Sequence, residues 1–234
     1  MTSGEGAGSG MVERDWLDWH RVYDDPGSPF VWRLRAVQSQ ISKTCSEWPP
    51  GPIRVISMCA GQGHDLIGAL SGHPRRDDVL ALLVERDERN VARARRAAAQ
   101  AGFSGFDVVA GDAANSSLYA DAVPCDLILA CGMLGNIDPS GLPVLIDELL
   151  RLSAAGAVVI WTYNRLDPQK AEALREMFAA AGYEEIAYEE SSMGPEVVGV
   201  SRLASIPKEF RKDITMFTFV GYDNLGYTLP DYTR

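Results

Sequence analysis

The residues whose types could do chemistry fall in three short stretches. Ser57-Met58-Cys59-Ala60-Gly61-Gln62-Gly63-His64-Asp65 carries two glycines two apart, directly after the apolar run IRVISM. Gly61 and Gly63 let the backbone turn tightly and approach a ligand closely. The amides of a following helix would face that ligand. A Gly-x-Gly at this place is also what a plain strand-to-helix turn needs. Glu85 closes the next apolar run, 24 positions after Gly61. An acid there is suited to accept hydrogen bonds from both hydroxyls of a ribose, or is a surface residue ending a strand. Gly111-Asp112-Ala113 follows the third run. Asp112 could accept from an exocyclic adenine amine, or cap a helix. Glycine, acid and second acid together describe an adenosine pocket.

Three side chains are candidates for handling an acceptor. His20 has an ordinary pKa near neutrality and could act as a general base, though its place between Trp19 and Arg21 in a helical pattern also suits packing or exposure. Tyr163 and Asn164 follow the fifth apolar run, where a phenol or amide could orient an acceptor or simply pack. Asn136 lies in the loop after the fourth run and is equally a turn residue before Asp138-Pro139. Trp16, Trp19 and Trp32 could cover a cofactor or an aromatic acceptor, and core packing serves each as well.

Alternating strands and helices must position these groups. Strands are expected over residues 53–58, 79–84, 106–110, 125–130 and 157–162, with helices over 65–70, 87–101, 142–152 and 168–181. The apolar runs do not alternate with polar residues, the pattern of strands covered by helices on both faces. Strand–helix alternation at this spacing implies right-handed crossovers and a doubly wound α/β parallel sheet. Residues 183–189 and 214–220 (ITMFTFV) read as two further strands without a crossover helix, so they can pair antiparallel. Between them, 191–211 (SSMGPEVVGVSRLASIPKEFR) reads as a long Gly/Pro-interrupted loop, a lid over the acceptor with Met193 as an adaptable contact. Upstream, 11–23 places Trp16, Trp19 and Tyr23 at helical spacing. A helix over 30–47 follows, with Val31, Leu34, Val37 and Ile41 as its apolar stripe, and WPPGP ends it.

Composition narrows the function. The 234 residues carry 22 Lys and Arg against 32 Asp and Glu, a net charge of −10. Such a chain is repelled by a phosphate backbone, and the one basic run, Arg93, Arg95 and Arg96, reads as a solvated helix face, so no nucleic-acid partner is expected. No 18-residue apolar run predicts a membrane span. Cys45, Cys59, Cys125 and Cys131 form no CxxC pair and no zinc-ligand spacing, so no metal is expected. Four scattered thiols suit a reducing, cytoplasmic location. Residues 1–10 (MTSGEGAGSG) lack the marks of a signal peptide and read as a disordered tail. A nicotinamide dehydrogenase is the rival in this fold class. Its fingerprint wants a third glycine, and that position is Leu66.

The stretches VISMCAGQGHD, LLVERDERNVARAR, VVAGDAANS, CDLILACGMLGNI and ITMFTFVGYD resemble the class I S-adenosylmethionine-dependent methyltransferases. The resemblance covers roughly residues 53–220, and WHRVYDDPGSPFVWRLRAVQSQI looks like the cofactor-covering helices of small bacterial members. It implies a Rossmann-like sheet of seven strands, the seventh antiparallel, in a domain over 51–234 beneath a helical cap over 11–50. It implies S-adenosyl-L-methionine as cofactor and a small-molecule methyl acceptor. Ala60, Gly61 and Gly63 would contact the amino-acid end of the cofactor, Glu85 the ribose, and Asp112 with Ala113 the adenine. Residues 131–136 would lie nearest the transferring methyl. The implied cofactor set is completed by Tyr23, Cys59, Asp65, Arg86, Gly111, Cys131, Gly132 and Met133. Where the family usually has an acid and a glycine this chain has Ser57 and Cys59, so Asp65, Asp24 or Asp25 would supply the charge beneath the methionine amine. A different displacement at the sulfonium and a non-catalytic cofactor-binding protein stay open, as does the oligomeric state, a homodimer included.

Overall fold

The structure, a computed structural model, describes residues 15–220. The tail over 1–10 lies outside them, as do residues 11–14 and 221–234.

Seven strands form one sheet: β1 (Ile53–Met58), β2 (Val79–Glu85), β3 (Phe106–Ala110), β4 (Cys125–Ala130), β5 (Ser153–Asn164), β6 (Tyr183–Glu190) and β7 (Glu196–Leu203), in the order β3-β2-β1-β4-β5-β7-β6. The first five run parallel, and β7 lies antiparallel between β5 and β6. The order reverses at β1, with β2 on one side and β4 on the other. Crevices at the carboxyl ends of such strands are where open α/β sheets bind ligands.

Each expected helix is present, and its ends follow local chemistry. α2 (Pro29–Glu47) starts with Ser28 accepting from the Phe30 amide and Pro29 fixing the first turn. α4 (Glu88–Gln100) starts on Asp87, and α6 (Pro168–Ala180) on Asp167 followed by Pro168. α3 (His64–Leu70) and α5 (Leu142–Leu152) complete the long set. The aromatic N-terminal pattern forms only a single turn, α1 (Trp16–Trp19), which tightens into a 3₁₀ turn over His20–Tyr23.

The core has two layers because strand side chains alternate between faces. Ile53 and Val55 pack with α2, α3 and α4, while Ile56 and Met58 pack with α5 and α6.

The C-terminal reading needs two corrections. The seventh strand is Glu196–Leu203, within the stretch expected to be a lid, and 214–220 is not a sheet strand. Gly199 made EVVGVSR look like a loop. In fact Gly199 is paired with Trp161 of β5, and any Cβ there would overlap the fully buried indole. The glycine is a packing requirement of Trp161, whose Nε1 donates to Ser201 at 3.0 Å. Residues 214–220 instead run across the ends of β3 and β4. The Ser116 amide donates to Ile214 O, the Met216 amide to Ala114 O and the Val220 amide to Asn136 O. Met216 and Phe217 are buried, which accounts for the apolar pattern without a ladder.

Candidate active site

The turn after β1 is built from left-handed backbone. Cys59, Gly61 and Gly63 have φ of +51°, +56° and +76°. Glycine takes such values without strain and other residues at a cost. That is the physical reason a glycine would be at home at position 59. Gly63 also packs against Ile67 and Leu83, which leave no room for a Cβ. Glu85, at the end of β2, is held from two sides. Its Oε2 accepts from the Gly61 amide and its Oε1 from the Asp87 amide, both at 2.8 Å. The Gly111 amide donates to Glu85 O at 2.9 Å, which ties the end of β3 to the same point. Ala113 is buried beside it. Asp112 is exposed, and its Oδ1 accepts from the Ala114 amide at 3.0 Å. So Asp112 does cap its own turn, and its second oxygen remains for another donor. Glycine turn, Glu85 and Asp112 thus meet on one edge, as the sequence predicts. Arg86 is exposed beside Glu85.

After β4, Gly132 has φ +73°, and its amide donates to Thr162 Oγ1 at 2.7 Å. Met133 is buried. The Cys131 thiol lies 3.7 Å from Ile160 O, and burial raises its pKa well above the usual thiol value. The Cys59 thiol is raised in the same way, so neither is an ionised nucleophile at neutral pH.

The three acceptor-handling candidates sit in three different environments. His20 lies on the cofactor-side turn: a Cβ on Gly61 would overlap its Nε2, while its Nδ1 is 2.6 Å from Trp16 O. Burial pushes the imidazole down to about 4, with His64 and Arg33 adding to the effect. It is therefore neutral at pH 7. Asn136 donates through Nδ2 to Gly132 O at 3.3 Å and so braces its own turn. Tyr163 is buried in the apolar layer against α5 and α6. Of the acids near the N-terminal turn, Asp25 accepts from the Gly27 amide.

Two of the expected residues, Tyr23 and Asp65, are joined by two charges that were not expected, Arg33 and Glu196. Arg33 is buried on the inner face of α2, between Phe30 and Val37. Leu34, expected on the buried stripe, is only partly buried instead. The Arg33 guanidinium donates to Tyr23 Oη at 2.9 Å, lies 3.7 Å from Glu196 Oε2 and stacks 4.8 Å from the Phe30 ring. Burial opposes its charge, but Tyr23, Glu196 and Asp65 more than offset that and keep it protonated. Burial pushes the Asp65 carboxyl up to about 6 and raises Glu196 as well, each partly countered by Arg33. Tyr23 packs 5.3 Å from His64. Arg33 was legible as a cation on an apolar stripe. Glu196 was hidden by reading its strand as a loop.

Among the described residues, no group of three His, Cys, Asp or Glu could hold a metal ion, and no helix is long and apolar enough to cross a membrane.

No protein-family model matches the chain, and no curated protein sequence does. Solved structures do. Magnesium protoporphyrin IX methyltransferase from Synechocystis PCC 6803, solved with bound SAM, matches with a TM-score of 0.61 at 15% identity, over 79% of this chain and 89% of that one. The chain has the methyltransferase fold. A possible exported protein from Bordetella parapertussis matches at 0.60 and 15% identity, over 81% and 79%. The CurJ carbon methyltransferase matches at 0.56 and 15%, over 74% of this chain and 54% of its own.

Proposed function

We propose that this chain is an S-adenosyl-L-methionine-dependent methyltransferase acting on a small-molecule acceptor. The observation that carries the reading is Glu85. Its carboxylate is fixed at the end of β2 by the amides of Gly61 and Asp87, one edge of it beside the glycine turn. A carboxylate has about four acceptor positions. Two are used, so the ones left can take a pair of ribose hydroxyls without disturbing the loop. Asp112 offers its unused oxygen to an adenine amine. The left-handed turn at 59–63 presents backbone rather than side chains. These residues fit an adenosine group.

When bound, the cofactor supplies a methyl already activated by a sulfonium. The chain's own work is then to align an acceptor and exclude water. Trp19, Phe30 and Tyr23 enclose the cap side of the crevice with ring contacts of 5.3–5.7 Å. Neutral His20 over Gly61 can take up a proton as the acceptor loses one. An acidic chain with its basic run on a solvated helix supports a small acceptor over RNA. Four free thiols support a reducing, cytoplasmic setting.

Calorimetry with S-adenosylmethionine, NAD and ATP tests this reading. S-adenosylmethionine alone should bind, and Glu85→Ala should weaken it about 10-fold or more, since a charged hydrogen bond contributes about 1.5–3 kcal/mol. Unchanged affinity removes the assignment. Turnover yielding S-adenosylhomocysteine supports methyl transfer, methylthioadenosine another displacement, and binding without turnover a non-catalytic role.

A further inference from the structure

A cavity of about 150 Å³ lies between the C-terminal end of α2 and the sheet margin formed by β5, β7 and β6. Trp48 closes its helix wall, and its sheet wall carries Val158, Ile186 and Arg202. Strand alternation explains why Arg202 faces the helix. Val198 and Val200 of β7 pack in the layer that α2 covers, so Arg202 projects to the same side, beside Val158 in the ladder with β5. The cavity stands apart from the crevice. Lys43, on its helix wall, lies ten residues along α2 from Arg33, about 15 Å at the helical rise. Val158 lies six residues before the end of β5, about 20 Å from the carboxyl edge.

The polar groups around this space lack partners. Thr44 is only 8% exposed, yet its side chain has no hydrogen-bond partner among the described residues. Buried hydroxyls are ordinarily paired, and a helical threonine can bond back to the carbonyl one turn earlier. That of Thr44 does not, and the residue lines the cavity. Lys43 and Arg202 reach the same space from helix and strand, and neither enters a hydrogen bond or ion pair among the described residues. Glu47 stands one helical turn beyond Lys43 without pairing with it. Two cations and one acid leave a single positive charge in excess. Trp48, Val158 and Ile186 supply apolar surface, and Ile186 is 37% exposed despite its size.

We propose that this cavity binds a small monocarboxylate with a flat apolar body, an aromatic acid of one ring. Lys43 and Arg202 take the carboxylate, and the Thr44 hydroxyl donates to it. The Arg202 guanidinium suits a carboxylate because two parallel hydrogen bonds can form. The ring lies against Trp48, Val158 and Ile186. A cavity of this volume admits one benzene-sized ring. The single excess charge matches a monoanion, whereas a dianion would leave one charge uncompensated beside Glu47. The site does not depend on what the crevice holds.

Benzoate titrated into the full chain and followed by NMR tests this. The Trp48 indole resonance, assigned by its loss in Trp48→Phe, should move and saturate. Benzyl alcohol keeps the ring without the charge, and acetate the charge without the ring. Each should bind about 10-fold or more weakly than benzoate, and dianionic phthalate should also bind more weakly. Arg202→Gln should weaken benzoate about 10-fold and Lys43→Met about 3-fold or more. Both side chains are exposed, so the fold does not rest on them. Thr44→Val keeps the shape and should weaken benzoate about 3- to 10-fold with no fall in melting temperature, since the hydroxyl has no protein partner to lose. An unmoved Trp48 resonance, equal binding of benzyl alcohol, or benzoate affinity unchanged in Arg202→Gln overturns the proposal. Shifts confined to Gly132 and Asn136 and abolished by S-adenosylhomocysteine would place benzoate in the crevice, which overturns this site and leaves the cofactor reading standing.

Discussion

The two halves of the crevice are built on opposite plans. The half around Glu85 satisfies itself: both carboxylate oxygens already hold backbone amides. The half around Arg33 and Asp65 couples a buried guanidinium to a partly buried carboxylate without completing their hydrogen bonds. An acid of the first kind supports the fold by holding two backbone amides. An acid of the second kind is a net cost to the fold while it is ionised. The same chemical group therefore has opposite effects on stability in the two places.

Glu85→Ala should show the largest effect. It strands the Gly61 and Asp87 amides, and each unsatisfied buried group costs about 1–3 kcal/mol. The variant should lose about 2–5 kcal/mol of unfolding free energy by the same reasoning, in addition to its affinity. Urea unfolding without ligand measures this. A variant as stable as wild type would erase the contrast between the halves.

Asp65→Asn should move stability the other way. The unfolded carboxyl titrates near 3.8 and the folded one near 6. The folded state therefore holds its proton more tightly, and stability rises as pH falls from about 6 towards 4. Above pH 6 the ionised group is a net cost, so the amide should gain on the order of 1–3 kcal/mol at pH 7.5. The gain should vanish near pH 4. Glu196, raised by the same burial and eased by the same Arg33, pulls in the same direction. His20 opposes them. Its folded value near 4 lies below the unfolded 6.5, so its contribution is complete above pH 6.5 and is lost as pH falls through 4. His20→Gln should therefore flatten the acid-side loss of stability while Asp65→Asn steepens it. Thermal melts from pH 4 to 8 check both signs.

Gly61→Ala tests where the halves touch. The added methyl meets His20 Nε2, and the residue must hold φ +56°. The strained backbone alone should cost about 1–2 kcal/mol. His20 would have to swing off the turn, so its resonance in NMR should move and its pKa rise towards 6.5. An unchanged His20 pKa would mean that the cap does not rest on this turn.

This contrast also explains what could be read in advance. The Glu85 half is contiguous in logic: each element is a strand end, and each strand is a mostly apolar run whose bounds the sequence marks. β1, β3, β4 and α5 fall where their patterns predict. The Arg33 half draws on residues 23, 33, 65, 132 and 196, which only the folded chain brings together. A cation on the stripe shared with Phe30 and Val37 was the one local sign of Arg33. Glu196 could not be found without first recognising β7. That failed because Gly199 answers to Trp161, a partner 38 residues away, rather than to its own neighbours. ITMFTFV misled for the converse reason. Met216 and Phe217 are buried as strand residues would be, but they cover the ends of β3 and β4 instead of extending the sheet.

Arg89→Ala should have the smallest effect, and it isolates how the cap is held. Arg89 on α4 pairs with Asp15, the residue that opens α1, at 2.9 Å, and with Asp87 at 2.6 Å. Both Arg89 and Asp15 are exposed, and screened surface pairs of this kind contribute little. The cap is instead seated by buried contacts: Val22, Phe30 and Arg33 lie inside, and His20 rests on Gly61. Breaking the surface pair should leave the melting temperature and the affinity for S-adenosylhomocysteine unchanged in 150 mM salt. A clear loss of affinity at preserved stability would show that the pair holds the cap over the crevice, and the Arg33 half would then depend on α4 as well as on α2.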